Sequence, residues 1–92
     1  MRYARFEAKP KFWHSFKKLS PEEKEAAFAA WKIFRQDPFD RRLRTHRIHK
    51  LSAAVGQTVY AIEIMADVRA VFFLRGDTVV TLDIGTHDIY KA

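Results

Sequence analysis

The chain contains no cysteine, which excludes a disulfide framework, a thiolate-ligated zinc site and a thiol nucleophile. Glycine and proline number three each among 92 residues and are scattered, so no linker, repeat or low-complexity tract is expected. No apolar run approaches the roughly 20 residues that a spanning helix needs. The N-terminus alternates charge with aromatics, so neither a secretion signal nor a membrane anchor is expected, and the cytoplasm is the default location. Acid is also scarce. Eleven Asp and Glu stand against seventeen Lys and Arg, giving a formal charge of +6 and a pI near 9.9. That balance favours polyanionic partners, nucleic acid first.

What is present suffices for a core. Apolar residues make up 48% of the chain and aromatics 14%, well above the composition of disordered sequences. Two useful cores cannot be built from so short a chain, so residues 1–92 are expected to form a single domain.

Within residues 1–8 a short first strand is expected, although Tyr3 and Phe6 do not keep one side of it. Lys9-Pro10 then opens a stretch in which Phe12, Trp13, Phe16 and Leu19 recur at helical steps, while Lys11, Lys17 and Lys18 face water. Ser20-Pro21-Glu22-Glu23 carries a capping box, with Pro at the first helical position. The second helix it starts has Ala27, Ala30, Trp31 and Phe34 as its apolar stripe and ends at Asp37-Pro38. The helical spacing makes the aromatics of both helices core residues rather than base-stacking groups.

From Thr58 the period changes to two. Tyr60, Ile62 and Ile64 alternate with Val59, Ala61, Glu63 and Met65; a turn at Ala66-Asp67 leads to Val68, Ala70, Phe72 and Leu74; Gly76-Asp77 leads to Val80, Leu82 and Ile84. Three antiparallel strands result. One sheet face is expected to be apolar and covered by the two helices. The other, bearing Glu63, Arg69, Thr81 and Asp83, is expected to stay open as a platform.

Two segments carry candidate chemistry. Arg41, Arg42, Arg44, His46, Arg47 and Lys50 lie in a stretch without acid from residue 41 to residue 62. Such a run is as readily a solvated loop as a phosphate-binding surface, and its place beside an open sheet face favours RNA binding. His46 and His49 lack a third ligand, so no metal site is expected. The tail from Asp83 to Tyr90 puts His87 and Tyr90 just after the last strand, with Gly85 permitting a turn. Metal-free RNA cleavage must deprotonate a 2′-hydroxyl, stabilise charge on phosphorus and protonate the leaving 5′-oxygen. His87 suits the acid role, Tyr90 stacking or orientation, and Arg69 charge stabilisation. Each also has a plainer reading: solvent-exposed His, packing Tyr, and an Arg paired with Glu63 or Asp83 across the sheet.

The element order resembles the RelE/ParE toxin superfamily, as do Leu43-Arg44-Thr45-His46, His49-Lys50-Leu51, Asp67-Val68-Arg69-Ala70-Val71-Phe72 and Asp83-Ile84-Gly85-Thr86-His87-Asp88-Ile89-Tyr90. The resemblance spans essentially the whole chain and is most specific in the terminal string. It implies a microbial RNase-like fold: a small α+β domain with a twisted, mainly antiparallel sheet and an N-terminal two-helix hairpin on one face. It further implies the toxin of a type II toxin–antitoxin system, of the RelE and YafQ-like kind. Such a toxin is a ribosome-dependent mRNA endonuclease that needs no metal or cofactor, inhibits translation and is neutralised by a cognate antitoxin. The expected partners are therefore antitoxin, ribosome and mRNA, with no membrane and with the free toxin monomeric. ParE-like members inhibit DNA gyrase without nuclease activity, which is the alternative.

By the same resemblance Arg69 corresponds to the strand arginine at the scissile phosphate, His87 to the C-terminal general acid and Tyr90 to the aromatic near it. His49 and Asp67 match positions used in the YafQ-like branch. The lysine pair of RelE itself is missing, since the corresponding stretch reads Tyr60-Ala61-Ile62-Glu63-Ile64. Either Glu63 or His49 is left as general base.

Overall fold

A computed structural model describes residues 3–90 of the chain. Strand β1 (Arg5–Ala8) leads into helix α1 (Pro10–Phe16) and helix α2 (Pro21–Gln36). A 3-10 turn (Arg41–Leu43), strand β2 (His46–Arg47) and helix α3 (His49–Val55) follow. Strands β3 (Val59–Met65), β4 (Val68–Arg75) and β5 (Thr78–Gly85) then form a meander that ends in a 3-10 turn (His87–Tyr90). The sheet order is β1-β5-β4-β3-β2, with β1 parallel to β5 and every other pair antiparallel. This is the small α+β architecture expected.

Local chemistry sets the helix boundaries. The Ser20 hydroxyl accepts from the Glu23 backbone N–H, and the Glu23 carboxylate accepts from the Ser20 N–H at 2.8 Å, so the capping box is complete. Helix α2 stops at Asp37, whose extended backbone is the geometry that a following Pro demands. Helix α3 forms where the sequence pattern predicts a loop. It is closed by Gly56 in the left-handed region at φ 85°, and the Ser52 hydroxyl ties it to β3 by accepting from the Val59 N–H at 2.8 Å.

Helices α1 and α2 share one sheet face. Phe12, Ala27, Ala30 and Phe34 pack there against Ile62, Ala70, Phe72 and Val79. Phe34 and Phe72 meet edge to face at 5.0 Å between ring centres. Trp13 departs from the expected stripe: it is 54% exposed, because α1 is only seven residues long and seats Phe12 rather than its neighbour against the sheet.

Two irregularities decide which side chains share a face. Between Glu63 and Met65 the β3–β4 pairing shifts, leaving Ile64 as the extra residue. In the β4–β5 pairing Phe72 faces Thr81 and Val71 faces Asp83, so Leu82 is extra. Strict alternation puts Val80, Leu82 and Ile84 together and Thr81 opposite. The bulge overturns that expectation. Val79, Thr81 and Ile84 meet the helices, and Leu82 joins the cluster on the other face.

Candidate functional site

The second face is not the open platform that alternation predicts. Leu51 of α3 and Ile89 and Tyr90 of the C-terminal turn pack over Val59, Ala61, Val71 and Leu82. Beyond that cover, at the end of the sheet, half-buried Glu63 of β3, buried Arg69 of β4 and Gly85 of β5 lie side by side, since Glu63 pairs with Arg69 and Arg69 with Gly85.

Arg69 is the centre of that row. Its side chain is only 11% exposed, and a buried guanidinium needs its donors met. Nη1 donates to the Met65 carbonyl at 2.6 Å and to the Val68 carbonyl at 3.2 Å, while Nη2 stands 3.9 Å from Glu63 Oε1. The extra residue at Ile64 lies just before the Met65 carbonyl, so the bulge belongs to the arginine's anchorage. Of the two acidic partners the sequence allowed, Glu63 is the one found. Asp83 instead takes Lys11 at 3.5 Å and caps its own strand through the Ile84 N–H.

The C-terminal turn brings the remaining groups. Gly85 has no side chain to obstruct it: a Cβ there would stand 2.9 Å from Ile89 Cγ2. Tyr90 is thereby laid beside Arg69 and Glu63. Its ring is half-buried and its hydroxyl oxygen is covered, with no hydrogen bond of good geometry among the described residues. Burial raises the phenol above its ordinary pKa; the Arg69 cation opposes that shift and the Glu63 carboxylate adds to it. His87 is exposed and meets the Tyr90 ring edge to face at 5.4 Å. Glu63, Arg69, Tyr90 and His87 thus form one continuous set.

His49 and Asp67 do not join it by any hydrogen bond or ion pair. His49 is exposed at the first position of α3, and Asp67 is exposed in the β3–β4 turn. The basic segment is ordered structure rather than a loop. Asp40 caps the 3-10 turn and binds Arg42 through both carboxylate oxygens at 3.0 Å, which holds its own carboxyl at a pKa of about 2. Arg42 is therefore already neutralised in part. Arg44 adopts a left-handed backbone at φ 50°, and its carbonyl holds His46 Nδ1 at 2.9 Å. His46 pairs with Ala61 and Arg47 with Tyr60, so these two side chains fall on opposite faces of the sheet edge. Arg41, Arg44, Arg47 and Lys50 are exposed. Among the described residues no three His, Asp or Glu side chains gather as a metal site, and no helix is long and apolar enough to cross a membrane.

Sequence reasoning named Arg69, Glu63, His87 and Tyr90, but missed the Met65 carbonyl and the role of Gly85. The first depends on a bulge that alternation conceals. The second has a visible sign in the sequence, a glycine two residues before the proposed acid.

No protein-family profile matches the sequence, and no curated protein matches it. Solved structures do share the fold. The RelE-RelB complex of Pyrococcus horikoshii OT3 matches with a TM-score of 0.69 at 12% identity, over 94% of this chain and 96% of that one. A YoeB/ParE toxin from Agrobacterium tumefaciens matches with a TM-score of 0.68 at 11% identity, over 90% and 98%. YafQ from E. coli strain BL21(DE3) matches with a TM-score of 0.66 at 12% identity, over the full length of both chains. The chain therefore has the RelE-like toxin fold.

Proposed function

We infer that this protein is the toxin of a type II toxin–antitoxin pair and acts as a metal-independent, ribosome-dependent mRNA endonuclease in the cytoplasm. The observation that carries the reading is the convergence of Glu63, Arg69, Tyr90 and His87 on one end of one sheet face, on a fold shared with RelE, YafQ and YoeB/ParE structures.

Arg69, held by two carbonyls, offers its outer guanidinium edge to the scissile phosphate and stabilises the charge that develops on its oxygens. Glu63 is the base within this set and removes the 2′-hydroxyl proton. The 2′-oxygen then attacks phosphorus, the bond to the 5′-oxygen breaks, and His87 supplies a proton to that leaving oxygen. The products are a 2′,3′-cyclic phosphate and a free 5′-hydroxyl. Tyr90 orients His87 through the ring contact. His49 and Asp67, standing apart, are assigned with Arg41, Arg44, His46, Arg47 and Lys50 to contacts with the message. Arg42 contributes least, because Asp40 already engages it. A cognate antitoxin silences the protein by covering this surface, as the pairing named in the RelE-RelB complex suggests.

The test is primer extension on a reporter message in a cell-free translation reaction, with the protein and its His87→Ala variant. New cleavage ends at the ribosomal A site that fall at least ~100-fold in the variant support the reading. Intact message under both proteins overturns it and turns attention to gyrase supercoiling as the target.

A further inference from the structure

A phosphate bound at Arg69 needs an open guanidinium edge, and in the free protein that edge is covered. The side chain is only 11% exposed. Both Nη1 protons are taken by the Met65 and Val68 carbonyls, so an anion has Nη2 and Nε to approach. The cover is the C-terminal turn. Tyr90 lies beside Arg69 and Glu63, the two charged groups that act on its phenol. Its hydroxyl oxygen is shut off from water and has no hydrogen-bond partner of good geometry among the described residues. Ile89 and Tyr90 rest on Leu51, Val59, Ala61 and Val71.

The energetics favour opening when an anion arrives. A covered, unmet hydroxyl costs free energy that contact with water returns. A phosphate oxygen carries charge and is a far better acceptor for a guanidinium than a neutral phenol, so exchanging one for the other is favourable. The local geometry permits the exchange. Thr86 closes the turn on itself, accepting from the Ile89 N–H through its carbonyl at 3.1 Å and from the Asp88 N–H through its hydroxyl at 3.3 Å. The turn can therefore swing as a unit about Gly85, where no Cβ obstructs Ile89. The ring contact between Tyr90 and His87 carries the acid along with the cover.

We propose that the His87–Tyr90 turn is a lid: in the free protein Tyr90 occupies the phosphate position beside Arg69, and a phosphate of the message displaces it. The proposal rests on the nuclease reading for the source of that phosphate. It adds a regulatory step, because the site admits its substrate only by lifting the residue that closes it.

The probe is inorganic phosphate, titrated against chloride at constant ionic strength into protein labelled for NMR at its tyrosine rings and arginine Nε–H groups. The Arg69 Nε–H and Tyr90 ring signals should shift together and saturate at one phosphate concentration. Tyr90→Ala removes the cover and should bind phosphate at least about fivefold more tightly. Tyr90→Phe keeps the cover but lacks the unmet hydroxyl whose release favours opening, so it should bind about fivefold more weakly, the ratio one such group gives. If Tyr90→Ala does not fold, Tyr90→Phe and the parent protein decide. Saturation at Arg69 with an unmoved Tyr90 ring would overturn the lid and leave the nuclease reading standing. So would an affinity that Tyr90→Ala leaves unraised or Tyr90→Phe leaves unlowered. No response at Arg69 in any of the three proteins would overturn both the lid and the assignment of Arg69 to phosphate.

Discussion

Arg69 Nη2 lies 3.9 Å from Glu63 Oε1, yet the same guanidinium is held more closely by the Met65 carbonyl, at 2.6 Å through Nη1. The arginine is thus fixed by neutral backbone oxygen, and the carboxylate is a looser companion that is 34% exposed. That division suits a site in which one group binds phosphate and its neighbour acts as base.

Removing the Tyr90 hydroxyl should move stability and activity in opposite directions. The oxygen is covered and lacks a good partner, so Tyr90→Phe should stabilise the fold by ~1 kcal/mol in urea titrations, because a desolvated, unmet group is lost. A-site cleavage should be retained within about an order of magnitude, since the ring contact to His87 survives. A marked loss of stability would show instead that the hydroxyl is satisfied through Arg69.

Gly85→Ala should displace the C-terminal turn. Its new Cβ would stand 2.9 Å from Ile89 Cγ2, and relief by backbone movement should cost about 1–3 kcal/mol. Cleavage should fall with it, as His87 and Tyr90 sit on that turn. Ile89→Ala in the same chain should recover part of both, which a double-mutant cycle would register as coupling. Additive losses would argue against the contact.

Acid sensitivity should include a step from Asp40. Its folded pKa of about 2 lies below the ordinary carboxyl value of 3.8, so its contribution is complete above that unfolded value and is lost as pH falls from about 4 towards 2. Asp40→Asn should flatten the stability profile across that window. The same variant frees Arg42, so the salt dependence of RNA binding should steepen by up to about one unit of slope. An unchanged pH profile would contradict the prediction.

Ser20→Ala should cost ~1 kcal/mol of unfolding free energy by opening the capping box, while leaving cleavage unaltered. A change in cleavage would tie α2 to the site in a way its position does not suggest.

The features that were legible in the sequence are those written in local pattern. Ser20-Pro21-x-Glu23 and Asp37-Pro38 bracket α2, and the period-two stretches from Val59, Val68 and Thr78 give the meander. The Ala66-Asp67 turn alone would set Ile64 opposite Arg69, and it is the bulge at Ile64 that brings Glu63 there instead. Helix α3 was hidden because it is only seven residues long, too short for the spacing of Leu51, Ala54 and Val55 to stand out, and the charge beside it reads as loop. Trp13 misled because helical spacing assigns a stripe without saying how long the helix is. The partial cover over the second face also escaped, since Leu51, Ile89 and Tyr90 reach it by tertiary packing that no local pattern encodes.

The extra residue in β5 makes that strand a counting device. From the Gly76-Asp77 turn to Thr81 every second residue belongs to one side, and from Asp83 onward the parity is reversed. A core redesigned by strict odd and even positions would seal Thr81 and Ile84 on opposite sides and drive Asp83 beneath the helices. Deleting Leu82 would do more than shorten a strand by one step: it would unhitch the half that carries the hydrophobic floor from the half that presents Gly85 to Arg69. The insertion therefore makes the length of β5 itself part of what keeps both surfaces in place.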